Sequence, residues 1–174
     1  PVVADVETMD VAALTSLFEG SDAVVWSAGA GGGDGARTIA VDRDAAIRTI
    51  EAARAAGAHR YVMVSYFGAG PDHGVPADSS FRAYADAKSD ADAALEASDL
   101  EWVILRPSSL TLDAPTGAVE IRQLDATVRA GKIARADVAA LIAAVIERPS
   151  LTRAIVEVNQ GPTPIGEALD ALAG

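Results

Sequence analysis

Tyr61-Val62-Met63-Val64-Ser65 is apolar at every position until it closes on a hydroxyl. A strand exposed on one face alternates apolar and polar residues, whereas one buried on both faces runs continuously apolar, as strands do in parallel sheets. Parallel strands need crossover segments between them. The sequence on either side supplies those crossovers as longer stretches of helical period.

Working toward the start, residues 41–56 predict a helix with Ile47, Ile50 and Ala53 inward and Gly57 as its stop. Before it, residues 23–28 read as a buried strand and residues 29–35 as a loop. Asp10 caps a helix through residue 18, with Val11, Leu14, Leu17 and Phe18 on its inner face. Val2-Val3-Ala4 reads as a short strand followed by Asp5. Working toward the end, residues 65–80 carry Gly68, Gly70, Pro71, Gly74 and Pro76, the composition of a long loop of the kind that serves as a lid. A helix at 81–96 follows, then a strand at 102–105 that Pro107 terminates. A short strand at 119–121, a helix at 137–147, a strand at 155–158 and a helix at 165–172 complete an α/β pattern with a parallel sheet. No linker or repeat interrupts it, so residues 1–174 read as one domain.

Half of the 174 residues are hydrophobic, only 5% are aromatic, and the formal net charge is −11. That balance predicts alanine-rich helices packed closely on a sheet. It makes nucleic acid and acidic membranes poor partners, and a small-molecule substrate the expected one, with a homodimer compatible. Without cysteine there are neither disulfides nor thiolate metal sites. No apolar run reaches the roughly 20 residues of a membrane span, and the expected location is cytoplasmic. Abundant Ala, Arg and Asp, with lysine only at 88 and 132, fit a bacterial source.

The chemistry-bearing residues are Ser65, Tyr84 and Lys88. Tyr84-Ala85-Asp86-Ala87-Lys88 places a phenol and an ammonium four residues apart on one helix face. There the lysine charge would lower the tyrosine pKa from about 10 and make the phenol a general acid. Ser65, at a strand end, would join them in carbonyl/alcohol redox chemistry on a Rossmann-like scaffold. The competing reading packs Tyr84 on the sheet and leaves Lys88 in solvent. Gly29-Ala30-Gly31-Gly32-Gly33-Asp34-Gly35 follows a strand, but the helical period resumes only several residues later. It therefore reads as a flexible loop near nicotinamide or substrate rather than as a pyrophosphate cradle. His59 and His73 read as surface residues, Trp26 and Trp102 as core. Asp86, Asp90, Asp92 and Glu96 read as a solvated helix face, and Asp137 as an N-cap.

These stretches, with Val41-Asp42-Arg43-Asp44, Trp102-Val103-Ile104-Leu105-Arg106-Pro107 and Arg135-Ala136-Asp137-Val138-Ala139, resemble in their order the atypical short-chain dehydrogenase/reductases. The likeness is to the small bacterial NAD(P)H-binding proteins related to flavin and biliverdin reductases. The resemblance implies a doubly wound Rossmann-like sheet and NADP or NAD as cofactor. It implies that Asp5 and Val6 contact the adenine, and that Ala28, Gly29 and Ala30 line the ribose and nicotinamide. Ser65 would polarise a carbonyl, Tyr84 donate the proton and Lys88 bind the nicotinamide ribose, while Arg106 and Pro107 wall the nicotinamide side. Against that pattern the first two strands and their Gly-rich turn are absent, about 40–50 residues given the size of a β-α-β unit. The expectation is that the complete protein carries them and that these residues alone bind a dinucleotide weakly. The activity implied is hydride transfer to a small carbonyl, quinone or flavin-like acceptor. The alternatives are a non-catalytic NAD(P)-sensing protein and a sugar-nucleotide epimerase or dehydratase.

Overall fold

The structure, a computed structural model, describes residues 1–31 and 34–173. They group into two compact units. The first comprises Pro1–Tyr61 and Ala69–Leu100, the second Val62–Gly68 and the chain from Glu101 onward.

In the first unit, α1 (Val11–Phe18) starts on Asp10, whose Oδ1 accepts the Ala13 amide at 2.8 Å. A cap of this kind stabilises a helix by about 1 kcal/mol. The strand β1 (Ala23–Trp26) neighbours β2 (Arg60–Val64). Between them, α2 (Gly35–Thr38) continues through a π-helical stretch, Ile39–Ala45, into α3 (Ala46–Ala56). Gly57 ends α3 at φ +78°, a left-handed conformation that glycine adopts without a Cβ penalty. The crossover to the next strand includes α4 (Arg82–Glu96). Ala45, Ala46, Ala52 and Ala53 on one helical segment and Ala85, Ala87 and Ala91 on the other are all buried. Such small side chains let helices approach closely, as the alanine-rich composition predicts. The Tyr61 hydroxyl, buried beneath α3, shares a 2.7 Å hydrogen bond with Thr49.

In the second unit, the rest of β2 is followed by β3 (Glu101–Pro107), β4 (Ser109–Thr111), β5 (Ala118–Ile121), β6 (Lys132–Ala134), α5 (Arg135–Ile146), β7 (Ala154–Gln160), β8 (Thr163–Pro164) and α6 (Ile165–Ala173). The sheet order is β2-β3-β7-β5-β8. β3 and β7 are parallel, from Val103 opposite Ala154 to Pro107 opposite Val158, while β5 runs antiparallel to β7 and β8. β4 and β6 form a separate parallel pair. Val103, Leu105, Val156 and Val158 of the strands bury against Val138, Leu141 and Val145 of α5 and Leu169 of α6. The α/β class with a mostly parallel central sheet, expected from the alternation of apolar runs and helical periods, holds.

Four local expectations do not. Val2-Val3-Ala4 is not a strand: Val2 and Val3 are exposed, and the chain turns on Asp5, whose carbonyl accepts the Thr8 and Met9 amides. The carbonyls of Val6, Glu7 and Met9 are taken up by the Arg48 guanidinium instead of a ladder. A helix N-terminus does lie within the glycine cluster, since α2 opens at Gly35. Its first free amides, of Ala36 and Arg37, are already bonded to the Asp34 carboxylate, which disfavours a second anion. Gly32 and Gly33 lie outside the described residues. Asp137 is not an N-cap. It sits in the first turn of α5, two residues past its start, fully buried, and accepts the amides of Thr116 and Gly117 and the Thr116 hydroxyl, so it anchors the turn before β5. Finally, the acidic face of α4 is not uniformly solvated. Asp92 is fully buried, while Asp90 and Glu96 are exposed.

Candidate functional site

Within the first unit the site is built where β1 ends. Ala28 and Gly29 are exposed there, whereas Ala30 is buried and donates its amide to Asp42 Oδ2 at 3.0 Å. Asp42 lies in the π-helical stretch, an insertion that turns a side chain away from the direction a regular helix would give it. Its other oxygen, Oδ1, is 3.7 Å from Lys88 Nζ of α4, and both side chains are only 2% exposed. Lys88 Nζ in turn lies 5.9 Å from the centre of the Tyr84 ring, which also packs on Phe81 at 5.1 Å between ring centres.

The reading that leaves Lys88 in solvent therefore fails. Burial holds its pKa below the ordinary lysine value, because an ammonium loses hydration there. Asp42 and then Asp92 oppose that shift. Asp42 was not singled out as a site residue from the sequence. Its signal is an acidic residue in register with Ala46, Ile50 and Ala53 on the inward stripe of a helix. Asp5 is exposed in its turn, with Oδ1 accepting the Glu7 amide at 3.2 Å, and Val6 is half-buried beside it.

His73 is not a surface residue. Its side chain is 4% exposed, with Nε2 3.0 Å from Asp86 Oδ1 and Nδ1 accepting the Val75 amide. Arg82 completes the clasp, bonding Asp86 Oδ2 and the Val75 carbonyl. The long loop is thereby tied to the first turns of α4. Arg82 first and His73 second hold the Asp86 carboxyl below the usual carboxylate range. His59 is exposed, and Trp26 and Trp102 are core, as their sequence contexts predict.

In the second unit, Ser65 follows β2 directly, as expected, and is buried. Its amide bonds the Leu105 carbonyl at 2.7 Å, and the Phe67 amide bonds the Pro107 carbonyl at 2.9 Å, so the chain beyond β2 stays registered on the end of β3. Arg106 is buried opposite Glu157 in the β3–β7 ladder. Glu157 Oε1 accepts the Gly68 amide at 2.8 Å and Oε2 accepts from Arg122, whose guanidinium carbon lies 5.6 Å from the centre of the Phe67 ring. Glu157 also went unremarked in the sequence, although a lone acid inside Ile155-Val156-Glu157-Val158 is its mark. Ser108, next after Pro107, buries a hydroxyl that has no hydrogen-bond partner among the described residues. Such a group is commonly satisfied by water or a ligand.

Within the first unit, the two exposed small residues Ala28 and Gly29 beyond the carboxyl end of β1 offer the flat access that a planar ring and ribose need. The residues fit a nicotinamide dinucleotide. The sequence profile described as NAD(P)H-binding matches residues 1–149. The chain belongs to the NAD(P)H-binding family.

Among proteins similar to this member of the NAD(P)H-binding family is the "Uncharacterized sugar epimerase YhfK" of Bacillus subtilis. It is 36% identical over 160 residues, which is 91% of this chain and 72% of that protein. A solved structure described as a putative NAD-dependent epimerase/dehydratase from Bacillus halodurans is 33% identical. It superposes with a TM-score of 0.87 over 98% of this chain and 77% of its own. The oxidoreductase ylbE from Lactococcus lactis is 26% identical with a TM-score of 0.84, over 98% and 76% of the two chains. Family membership bears out the resemblance drawn from the motifs, and with it a nicotinamide dinucleotide as the cofactor class. No helix among the described residues is long and apolar enough to cross a membrane.

Proposed function

We propose that this chain belongs to an NAD(P)H-dependent reductase of the short-chain type, acting on a small carbonyl, quinone or flavin-like acceptor. The observation that supports it most is the burial of Lys88 between Asp42 and the Tyr84 ring. A solvated lysine would be screened and could do little to a neighbouring phenol, whereas one held in a dry setting acts on it strongly.

The cofactor, when bound, supplies a hydride. Ala28, Gly29 and Ala30 would give the nicotinamide and ribose a surface without bulky side chains, and Arg106 and Pro107 would wall the nicotinamide side. Asp5 and Val6 meet the adenine. Tyr84 donates the proton that turns the reduced carbonyl oxygen into a hydroxyl, and Lys88 favours the phenolate left behind. Ser65 hydrogen-bonds that oxygen and polarises it. The proposal requires Ser65, Tyr84 and Lys88 to converge within hydrogen-bond reach of one substrate oxygen.

The names of the Bacillus relatives favour a second reading, an epimerase or dehydratase. There the same Tyr–Lys pair would move a proton at a sugar carbon bearing a hydroxyl, with the cofactor regenerated in each turn.

Oxidation of NADH and NADPH with a panel of carbonyl, quinone and flavin acceptors, run on the parent and on Tyr84→Phe, tests the reductase. Acceptor-dependent oxidation that Tyr84→Phe abolishes is the expected result. Conversion of a sugar nucleotide without net cofactor oxidation would favour the epimerase. Cofactor binding with equal inactivity of both proteins would favour a sensor.

A further inference from the structure

We propose that Asp42 is the positioning residue of this site: one buried carboxylate holds the Gly29–Ala30 turn with one oxygen and Lys88 with the other. A single side chain thereby sets both the cofactor surface and the acid–base helix.

Three observations carry this. First, the two oxygens divide the work. Oδ2 accepts the Ala30 amide at 3.0 Å, and Oδ1, which has no hydrogen-bond partner among the described residues, faces Lys88 Nζ at 3.7 Å. Second, the turn is shaped to the carboxylate. A Cβ built on Gly29 would stand 3.0 Å from Asp42 Oδ1, tighter than most such contacts, so a side chain at residue 29 would press the carboxylate out of its place between the turn and Lys88. A plain counter-ion for Lys88 would not need to lie this close to the backbone of Gly29. Third, Lys88 has a second buried acid one helical turn along, Asp92, which also favours its charged form. Charge compensation alone thus does not single out Asp42. What Asp42 adds is the tie to Ala30, made from a π-helical stretch that gives up regular hydrogen-bond geometry to aim it.

For its kinetic consequence the inference rests on Tyr84 and Lys88 being the acid–base pair; its structural part does not. Asp42→Asn keeps an acceptor oxygen for the Ala30 amide and removes the charge facing Lys88, whereas Asp42→Ala removes both. With an acceptor that the parent reduces, Asp42→Asn should lower kcat about tenfold or more, the loss of one interaction with a charged group, and leave the cofactor KM within about threefold. Asp42→Ala should raise the cofactor KM as well. In combination with Lys88→Met, the Asp42→Asn change should cost nothing further, because its effect passes through Lys88. An unchanged kcat in Asp42→Asn, or losses that multiply in the double variant, would overturn the proposal.

Amide hydrogen exchange at Ala30 decides the structural part without turnover. Protection should persist in Asp42→Asn and in the charge-free double variant Asp42→Asn/Lys88→Met, which also serves if Asp42→Ala does not fold. Exchange as fast in Asp42→Asn as in an unprotected loop amide would sink the coupling, even in a chain with full activity. Conversely, protection of Ala30 in a chain that reduces nothing would support the coupling and overturn only the reductase reading.

Discussion

Lys88 and Asp42 face each other across two helical segments at 3.7 Å, each 2% exposed. A buried pair is not a large net source of stability, because desolvation offsets most of its attraction, but stranding one member is expensive. Lys88→Met should therefore destabilise the chain by about 3–5 kcal/mol. Adding Asp42→Asn, which removes the stranded charge, should recover part of that loss. Urea denaturation of the parent and the two variants checks this, and a double variant less stable than Lys88→Met would contradict it.

The same burial gives stability a pH dependence. Lys88 has a folded-state pKa below the unfolded value of about 10.4, so just below that pH the unfolded chain binds a proton that the folded chain does not. Stability should rise as pH increases through the folded pKa toward about 10.4, and the rise should be absent in Lys88→Met. Tyr61 works in the opposite sense. Burial raises its pKa above the unfolded value of about 10, so its contribution is intact below pH 10 and is lost as pH climbs beyond it. Tyr61→Phe should flatten that upper fall in a series of denaturation midpoints.

Gly161 permits the sheet to close. A Cβ there would press into the backbone of β5 at Val119 and Glu120, and backbone cannot swing aside as a side-chain tip can. Gly161→Ala should cost on the order of 3 kcal/mol through overpacking. A melting temperature within a degree or so of the parent would show that β5 yields easily.

Glu157 holds the turn beyond Ser65 through Gly68 and Arg122. Glu157→Ala should cost about 1.5–3 kcal/mol, the range for hydrogen bonds to a charged group. It should also speed amide exchange at Gly68 while leaving that at Leu14, in the other unit, unchanged. Glu157→Gln, which retains an acceptor oxygen for Gly68, should fall between the two.

The alternation of continuous apolar runs with helical periods was enough to place β1, β2, β3, β5, β7 and the longer helices, because burial on both faces and burial on one stripe leave different spacings in a sequence; α2 and the strands β4, β6 and β8 are too short to carry either spacing. The strand ending at Ser65, the Asp10 cap, the Gly57 stop and the i, i+4 placement of Tyr84 and Lys88 are all local in this sense: each follows from a few neighbouring residues. What the sequence could not decide is where a charged group ends up when its partner is far along the chain. Asp92 and His73 look like solvent residues by spacing alone, yet one is fully buried and the other is clasped by Asp86. Val2-Val3-Ala4 has the composition of a strand, but strand pairing is a property of neighbours, and Arg48 claims the adjoining carbonyls instead. The meeting of Asp42, Ala30 and Lys88 joins three separate segments through a π-helical irregularity that no residue type announces. Only tertiary packing could make it, because desolvation fixes which charges must pair and topology fixes which ones can reach each other.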